Sequence, residues 1–167
     1  MIMSGLNKSN RGTTVRRHRR GGAVLELALT LSILFSICYG LIECGYYFYV
    51  KNTMEGAARE GCRAGIVTGG TSAACNSAIE NQLQVAGLVP NGTTASGSGT
   101  SYTIGNFTVT YEDNGVATSS VANIATGDTL TVQITATWGT VGAGFRPAAI
   151  IGASKQITTA SAMRVEG

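Results

Sequence analysis

Histidine is almost absent from this sequence: the single one, His18, lies in a basic stretch near the N-terminus. Residues 19–167 therefore offer no imidazole for general acid–base catalysis or for metal coordination. The nine acidic residues are scattered, and no glycine-rich phosphate-binding loop follows a predicted strand. These absences argue against an enzyme, so we predict no catalytic residue, no metal, no cofactor and no small-molecule substrate.

Proline is also scarce, with two in the chain and none before Pro90. Because proline is the residue that most strongly ends a helix, nothing in the first 89 residues forces a helix to stop. Acidic residues are absent from residues 1–20, which carry six lysines and arginines. By the positive-inside rule, we predict a cytoplasmic leader over residues 1–21 and export of the chain that follows the first membrane span.

Most of the positive charge lies in that leader. Without it, six basic residues face nine acidic ones, so the formal charge changes from +3 to about −3. A nucleic-acid-binding surface is therefore not predicted, since the basic cluster is a leader and not a patch on a folded domain. The abundance of glycine, serine, threonine and alanine, with 13% charged residues, is typical of an exported, β-rich bacterial surface domain.

What the sequence does contain is a long apolar run. Residues 27–42 carry no charge, and the flanking apolar residues extend the predicted helix to about 30 residues, or roughly 40 Å. This length exceeds the hydrocarbon core of a bilayer, so we predict a transmembrane helix over residues 22–50 that continues outside the lipid. Aromatic residues collect at its far end, as they do at membrane–water interfaces. The residues assigned to this end of the span are Glu43, Tyr46, Tyr47 and Tyr49.

Glu26 lies only a few residues inside the apolar run, where an unpaired carboxylate costs on the order of a few kcal/mol. An ordinary signal anchor does not require an acidic residue at this position. A conventional secretory signal cut within residues 36–45 is an alternative, although it would leave the aromatic cluster at the mature N-terminus. A Tat signal or a lipoprotein signal fits less well, because two glycines follow the paired arginines and no small residue precedes Cys38 or Cys44. We interpret these two cysteines as small apolar residues.

Three motifs follow one another along residues 16–66. They are an arginine-rich leader that ends in glycine and continues as VLELAL (24–29), then GLIECG (40–45), then AAREGCRA (57–64). In this order and spacing they resemble the TadE-like family, the pseudopilins of the tight-adherence (Tad) pilus machinery. Residues 159–166 resemble the last strand of those proteins. The chain departs from the family pattern at Ser32, where a proline is common.

The resemblance implies that Gly21 and Gly22 flank a bond cut by a prepilin peptidase, and that Glu26 is the assembly acid. The new amino group of Gly22 in one subunit would neutralise Glu26 of a neighbour, and this pairing would set the register between subunits. The implied protein is a minor pseudopilin in the inner membrane, with its N-terminus in the cytoplasm and its C-terminal domain in the periplasm or outside the cell.

This role implies contacts with the lipid bilayer, the peptidase, other pilus or pseudopilin subunits and the inner-membrane assembly platform. It also implies a contribution to pilus assembly, surface adhesion and biofilm formation. The alternative is a permanently anchored, single-pass periplasmic binding or adhesion domain, in which Glu26 is dispensable.

Beyond the span, residues 51–88 are predicted to form an exported helical region. One helical face carries small residues, which allow close packing against the domain's own sheet or, alternatively, against another subunit. The members of this face are Met54, Ala57, Ala58, Gly61, Cys62 and Gly65. Gly69 and Gly70 end the helix, and a second one begins after a cap at Thr71 or Ser72 and runs to about Ala86.

Cys62 and Cys75 lie one on each of these helices. In an oxidising compartment, the short turn between the helices favours a Cys62–Cys75 disulfide, which the chain-entropy model values at roughly 3 kcal/mol. A metal-binding pair is the alternative, but the sequence supplies no further cysteine or histidine cluster to complete it.

The remainder of the chain reads as β-structure. Residues 89–101 are rich in glycine, serine and threonine and are predicted to be a linker. Apolar residues then alternate with polar ones in strands predicted at 102–112, 130–138 and 155–165, with a short helical turn over 147–151. The predicted fold is therefore α+β and pilin-like: a long transmembrane helix that continues as an amphipathic helix, a second short helix, and an antiparallel β region over 102–167 that packs on the helices.

Overall fold

The computed structural model of the chain describes residues 18–67 and 69–165, with side chains from Gly21 onward. The predicted leader thus lies almost entirely outside the described residues, as do the His18 side chain and Glu166. The described helices are α1 (His18–Gly65), α2 (Ser72–Val85) and α3 (Trp138–Val141). The strands are β1 (Ser96–Ser98), β2 (Ser101–Ile104), β3 (Phe107–Asp113), β4 (Val116–Ala117), β5 (Thr129–Thr137) and β6 (Gln156–Arg164).

The chain divides into two compact units, the first ending at Cys38 and the second beginning at Tyr39. α1 begins in the first unit and runs without a break for 48 residues. An 18-residue window of this helix has a mean hydropathy of 2.0, and none of that window is buried. By length and composition α1 is able to cross a membrane, as the uncharged run predicted.

In the second unit, α2 packs beside α1 and begins as predicted. The hydroxyl of Thr71 accepts a hydrogen bond from the main-chain N–H of Ala74 at 3.2 Å, which satisfies one free donor of the first turn. Ile79 of α2 lies against Gly61, so close that a Cβ atom at Gly61 would approach its side chain to 2.8 Å. Gly65 is equally tight, because its Cβ would come within 2.5 Å of Leu130 on β5.

These contacts decide the role of the small-residue face. Met54, Ala57, Ala58 and Cys62 are fully buried, and the same core contains the inward residues of the sheet. The face therefore packs within its own domain, which was the preferred prediction, and is not open to another subunit.

The sheet is antiparallel, with strand order β1-β2-β3-β5-β6 and with β4 paired to the end of β3. β5 alternates between buried and half-buried positions along its length, in register with β3 through Val109 opposite Ile134 and with β6 through Ile134 opposite Thr159. This alternation buries one face, as the sequence predicted. The long helix, the further short helix and the six antiparallel strands confirm the predicted α+β class.

Three details differ from the predicted elements. Residues 102–112 form two strands and not one, because Gly105, at φ +58°, turns the chain back at Gly105–Asn106. Part of the predicted linker, Ser96–Ser98, pairs with β2 as an edge strand. The helical turn predicted over 147–151 lies earlier instead, in α3 and in a single 3₁₀ turn at Ala143–Phe145, and residues 147–151 are irregular.

Candidate functional site

The predicted processing site lies in the first turns of α1. Gly21 and Gly22 are both exposed, and nothing lies within 4 Å of the place where a Cβ atom would stand at either residue. Glycine in a helix interior costs about 1 kcal/mol relative to alanine, so the pair lowers the stability of the helix at this point. The backbone here is therefore accessible and locally less stable than the helix that follows.

Glu26 is exposed on the apolar part of α1, and no described side chain bonds to its carboxylate. Its main-chain oxygen accepts a hydrogen bond from the hydroxyl of Thr30 at 2.8 Å. Ser32, at the position where the family pattern has proline, donates in the same way to Ala28 at 2.9 Å, so its hydroxyl is satisfied and the helix stays continuous. The carboxylate of Glu26 thus has no hydrogen-bond or ion-pair partner among the described residues.

Glu43, by contrast, is fully buried. Its Oε2 atom accepts a hydrogen bond from the main-chain N–H of Ile150 at 3.1 Å, and Oε1 accepts one from Ile151 at 2.9 Å. Two consecutive amides therefore hold one carboxylate, an arrangement that stabilises the charged form. This anion fastens the irregular segment before β6 to α1.

Two further residues contribute to the contact between this segment and α1. The guanidinium of Arg146 donates to the main-chain oxygen of Ile151 at 3.1 Å, and its positive charge acts on Glu43. Gly40, one turn before Glu43, lies so close to the same segment that a Cβ atom there would approach Ile150 to 2.8 Å. Within the GLIECG motif, Gly40 thus leaves room for this short segment and Glu43 forms hydrogen bonds to it.

The tyrosines predicted to lie at the membrane interface are close to the contact between Glu43 and this segment. Tyr46 stacks on Phe145 with ring centroids 4.4 Å apart, and Tyr47 meets Trp138 edge-on at 5.2 Å. The hydroxyl of Tyr49 donates to the main-chain oxygen of Ala86 at 2.6 Å. All three therefore contact the folded domain, and Tyr46 and Tyr47 pack against its core.

Sequence reasoning missed the role of Glu43, which it grouped with the residues at the end of the span. A local signal did exist, since Glu43 is the first acid after sixteen uncharged residues and an acid at that place needs a partner. Nothing in the sequence indicates that the partners are Ile150 and Ile151, more than one hundred residues later.

Cys62 and Cys75 are both buried in the core, and in the structure they are free thiols and not a disulfide. The thiol of Cys62 donates to the main-chain oxygen of Ser161 at 2.9 Å. Burial, with a smaller contribution from the neighbouring Cys62, raises the pKa of the Cys75 thiol to about 12. The pair is therefore unreactive as it stands, and the disulfide remains a prediction.

Within residues 18–67 and 69–165, no group of three or more His, Cys, Asp or Glu side chains is arranged to hold a metal ion. The surface of the described residues includes two open grooves of about 400 Å³ each. One lies between α1 and α2 near Tyr49 and Gln82, and the other lies between Tyr39 and Ile42 of α1 and residues 143–147.

Comparison with protein-family models gives a match in the long helix. Residues 21–63 match the family model described as TadE-like protein, and this confirms the resemblance seen in the motifs. The match covers 43 of 167 residues, all of them in α1, and it contains Gly21, Gly22, Glu26 and Glu43. Neither the curated proteins nor the solved structures give a match. The apolar helix and this similarity fit a membrane-anchored protein related to the tight-adherence pilus.

Proposed function

We propose that this protein is a minor pseudopilin of a tight-adherence pilus system, cut by a prepilin peptidase between Gly21 and Gly22. The observation that carries the proposal is the exposed Glu26 carboxylate on an apolar helix, five residues into the segment that matches the TadE-like model. The structure of the site supports it, because both glycines are open to a peptidase and the acid has no partner among the described residues.

The chemistry of the acid explains how it would serve assembly. A lone carboxylate within hydrocarbon is costly, and a nearby ammonium removes much of that cost. Cleavage creates such an ammonium at Gly22, and packing of one subunit against the next would bring it to the Glu26 of a neighbour. The pair forms only when the helices are aligned, so the acid would select the register of the subunits.

The proposed topology follows from charge. The basic leader stays in the cytoplasm, α1 crosses the inner membrane, and the domain that begins at Tyr39 is exported. Its partners would be the peptidase, other pilus subunits and the assembly platform. The protein would contribute to surface adhesion and biofilm formation through the pilus and not through chemistry of its own.

The N-terminal sequence and intact mass of the protein from membranes of its native host test the proposal. A chain that begins at Gly22 is expected. The variant Gly21→Leu should retain the leader, whereas Gly45→Leu, at an exposed glycine of the same helix with free space around it, should be cut normally. A wild-type chain that keeps residues 1–21 would reject processing and favour the permanently anchored binding or adhesion domain.

A further inference from the structure

Several contacts hold the segment between α3 and β6 against α1. Glu43 holds the amides of Ile150 and Ile151, and Ile150 fills the space left by Gly40. Phe145, in the 3₁₀ turn of the same segment, stacks on Tyr46. We call residues 142–151 the anchored loop. Its position along α1 is therefore confined to about two helical turns, between Tyr39 and Tyr46.

The anchored loop carries large apolar side chains that do not enter the core. Ile150 is 63% exposed and Phe145 is 51% exposed. On the adjoining part of α1, Leu41 and Ile42 are also exposed, by 68% and 51%. Tyr39, Ile42 and residues 143–147 line the open groove between helix and loop. The exposed apolar surface of the loop is thus continuous with the apolar surface of the helix.

The level of this surface along α1 follows from the helix rise. Twenty residues at about 1.5 Å each cover roughly 30 Å, the thickness of a hydrocarbon core. Residues 23–42 form such a stretch, with Glu26 as its one charge, and Glu43 is the first charged residue after it. A loop that is bonded to Glu43 accordingly lies where the hydrocarbon ends and the headgroups begin.

The charge of the region is compatible with phospholipid headgroups. The chain from Thr129 to Val165 contains no acidic residue, and the charges nearest the loop in sequence are Arg146 and Lys155. The Glu43 carboxylate that contacts the loop is buried and bonded to the loop's own amides, and Arg146 and Lys155 favour contact with anionic lipids. Aromatic and aliphatic side chains beside cations are the composition of segments that lie in a membrane interface.

We propose that the anchored loop is a second membrane contact, in which Phe145 and Ile150 insert at the headgroup–acyl boundary of the bilayer that α1 crosses. The helix and the loop together would give the chain two points of contact with the bilayer. The carboxylate of Glu43 positions the loop for this contact. The inference rests on membrane insertion of α1 and not on cleavage or pilus assembly.

Depth-dependent fluorescence quenching tests this contact in the full chain. The variants Phe145→Trp and Ile150→Trp are reconstituted in vesicles of phosphatidylcholine and phosphatidylglycerol whose acyl chains are brominated either near the headgroup or near the chain end. Val116→Trp is the matched control, because Val116 is also exposed (70%) but lies far along α1 from Glu43. It pairs with Asp113 of β3, Asp113 lies opposite Leu130 of β5, and Leu130 packs against Gly65 at the other end of this part of α1. Leu34→Trp reports on the span, and the wild type, with Trp138 alone, gives the background.

The emission of the tryptophan introduced at position 145 or 150 should be quenched by the lipid brominated near the headgroup. The lipid brominated near the chain end should quench it less. Emission from position 116 should be unaffected by either lipid. If the emission of the tryptophan at position 34 is quenched, but the emission at positions 145 and 150 is quenched no more than at position 116, the loop contact is wrong and the span still holds. Absence of loss at position 34 would overturn the membrane placement and the loop contact together.

Discussion

The carboxylate of Glu43 accepts the main-chain N–H of Ile150 at 3.1 Å across 107 residues of sequence, and it is fully buried while doing so. The neighbouring amide of Ile151 bonds to the other oxygen of the same carboxylate. Ile150 and Ile151 lie in an irregular segment, so their amides have no partner in a strand or helix. The side chain of Glu43 satisfies both of them. Glu43 thus bonds the part of the chain matched by the family model to a segment beyond that match.

Removal of this carboxylate should weaken the domain. Glu43→Ala leaves two amides without their acceptor, so we expect the free energy of unfolding to fall by about 2–4 kcal/mol. Glu43→Gln should cost less, because its one carbonyl oxygen still accepts one of the two bonds. Denaturant unfolding of the full chain in detergent, followed by the fluorescence of Trp138, measures both.

Glu60→Ala is the control for that comparison. Glu60 is also on α1, but it pairs with the exposed Arg63, and such surface pairs contribute at most about 1 kcal/mol. Equal losses for Glu43→Ala and Glu60→Ala would contradict the role assigned to the buried carboxylate.

Two glycines on α1 should respond to alanine with opposite sign. A Cβ atom at Gly65 would stand 2.5 Å from Leu130 and 2.8 Å from the sulfur of Cys75, so Gly65→Ala should destabilise the domain by about 1–3 kcal/mol. At Gly45 nothing lies within 4 Å, and Gly45→Ala should stabilise the helix by about 0.5–1 kcal/mol. Thermal unfolding of the two variants measures the difference. A gain in stability for Gly65→Ala would mean that α1 and the sheet are farther apart than described.

The helices α1 and α2 and the long strands β5 and β6 could be predicted from sequence because their signals are local. Apolar alternation along Leu130–Ala136 is visible without any partner, and so is the cap at Thr71. The hairpin at Gly105 was missed because a glycine in a strand pattern indicates a bulge as readily as a turn. The edge strand β1 was missed because Ser-Gly-Ser has little intrinsic strand preference and forms only through pairing with β2.

The candidate site divides in the same way. Gly21, Gly22 and Glu26 lie within six residues of one another, so their relationship was readable as a motif. The role of Glu43 depends on a contact with Ile150 that forms only after the sheet has returned the chain to α1. Sequence patterns describe neighbours along an element, and contacts of this length depend on the whole fold.

The core thiols should resist alkylation in the folded protein. With its pKa raised to about 12 by burial and by the nearby Cys62, the Cys75 thiol is almost wholly protonated at pH 8, and the thiolate is the reactive form. Iodoacetamide should leave both Cys62 and Cys75 unlabelled until the chain is unfolded. Peptide mass spectrometry before and after denaturation reads both sites. A Cys75 that stays unlabelled after denaturation without reductant, but is labelled once reductant is added, would instead show the Cys62–Cys75 disulfide.

Glu26 decides between the two functions considered for this protein. If its carboxylate pairs with the ammonium of a neighbouring subunit, Glu26→Gln removes the charge while keeping nearly the same shape, and assembly of the pilus should fail although the domain remains folded. Glu55→Gln is the control, since Glu55 lies on the same helix in an exposed pair with Arg59 and should leave assembly intact. Pili sheared from the host surface, counted against the amount of this protein in the membrane, measure the effect. Normal piliation in Glu26→Gln, at a normal protein level, would remove the reason for placing a charge in the span and would support the permanently anchored domain.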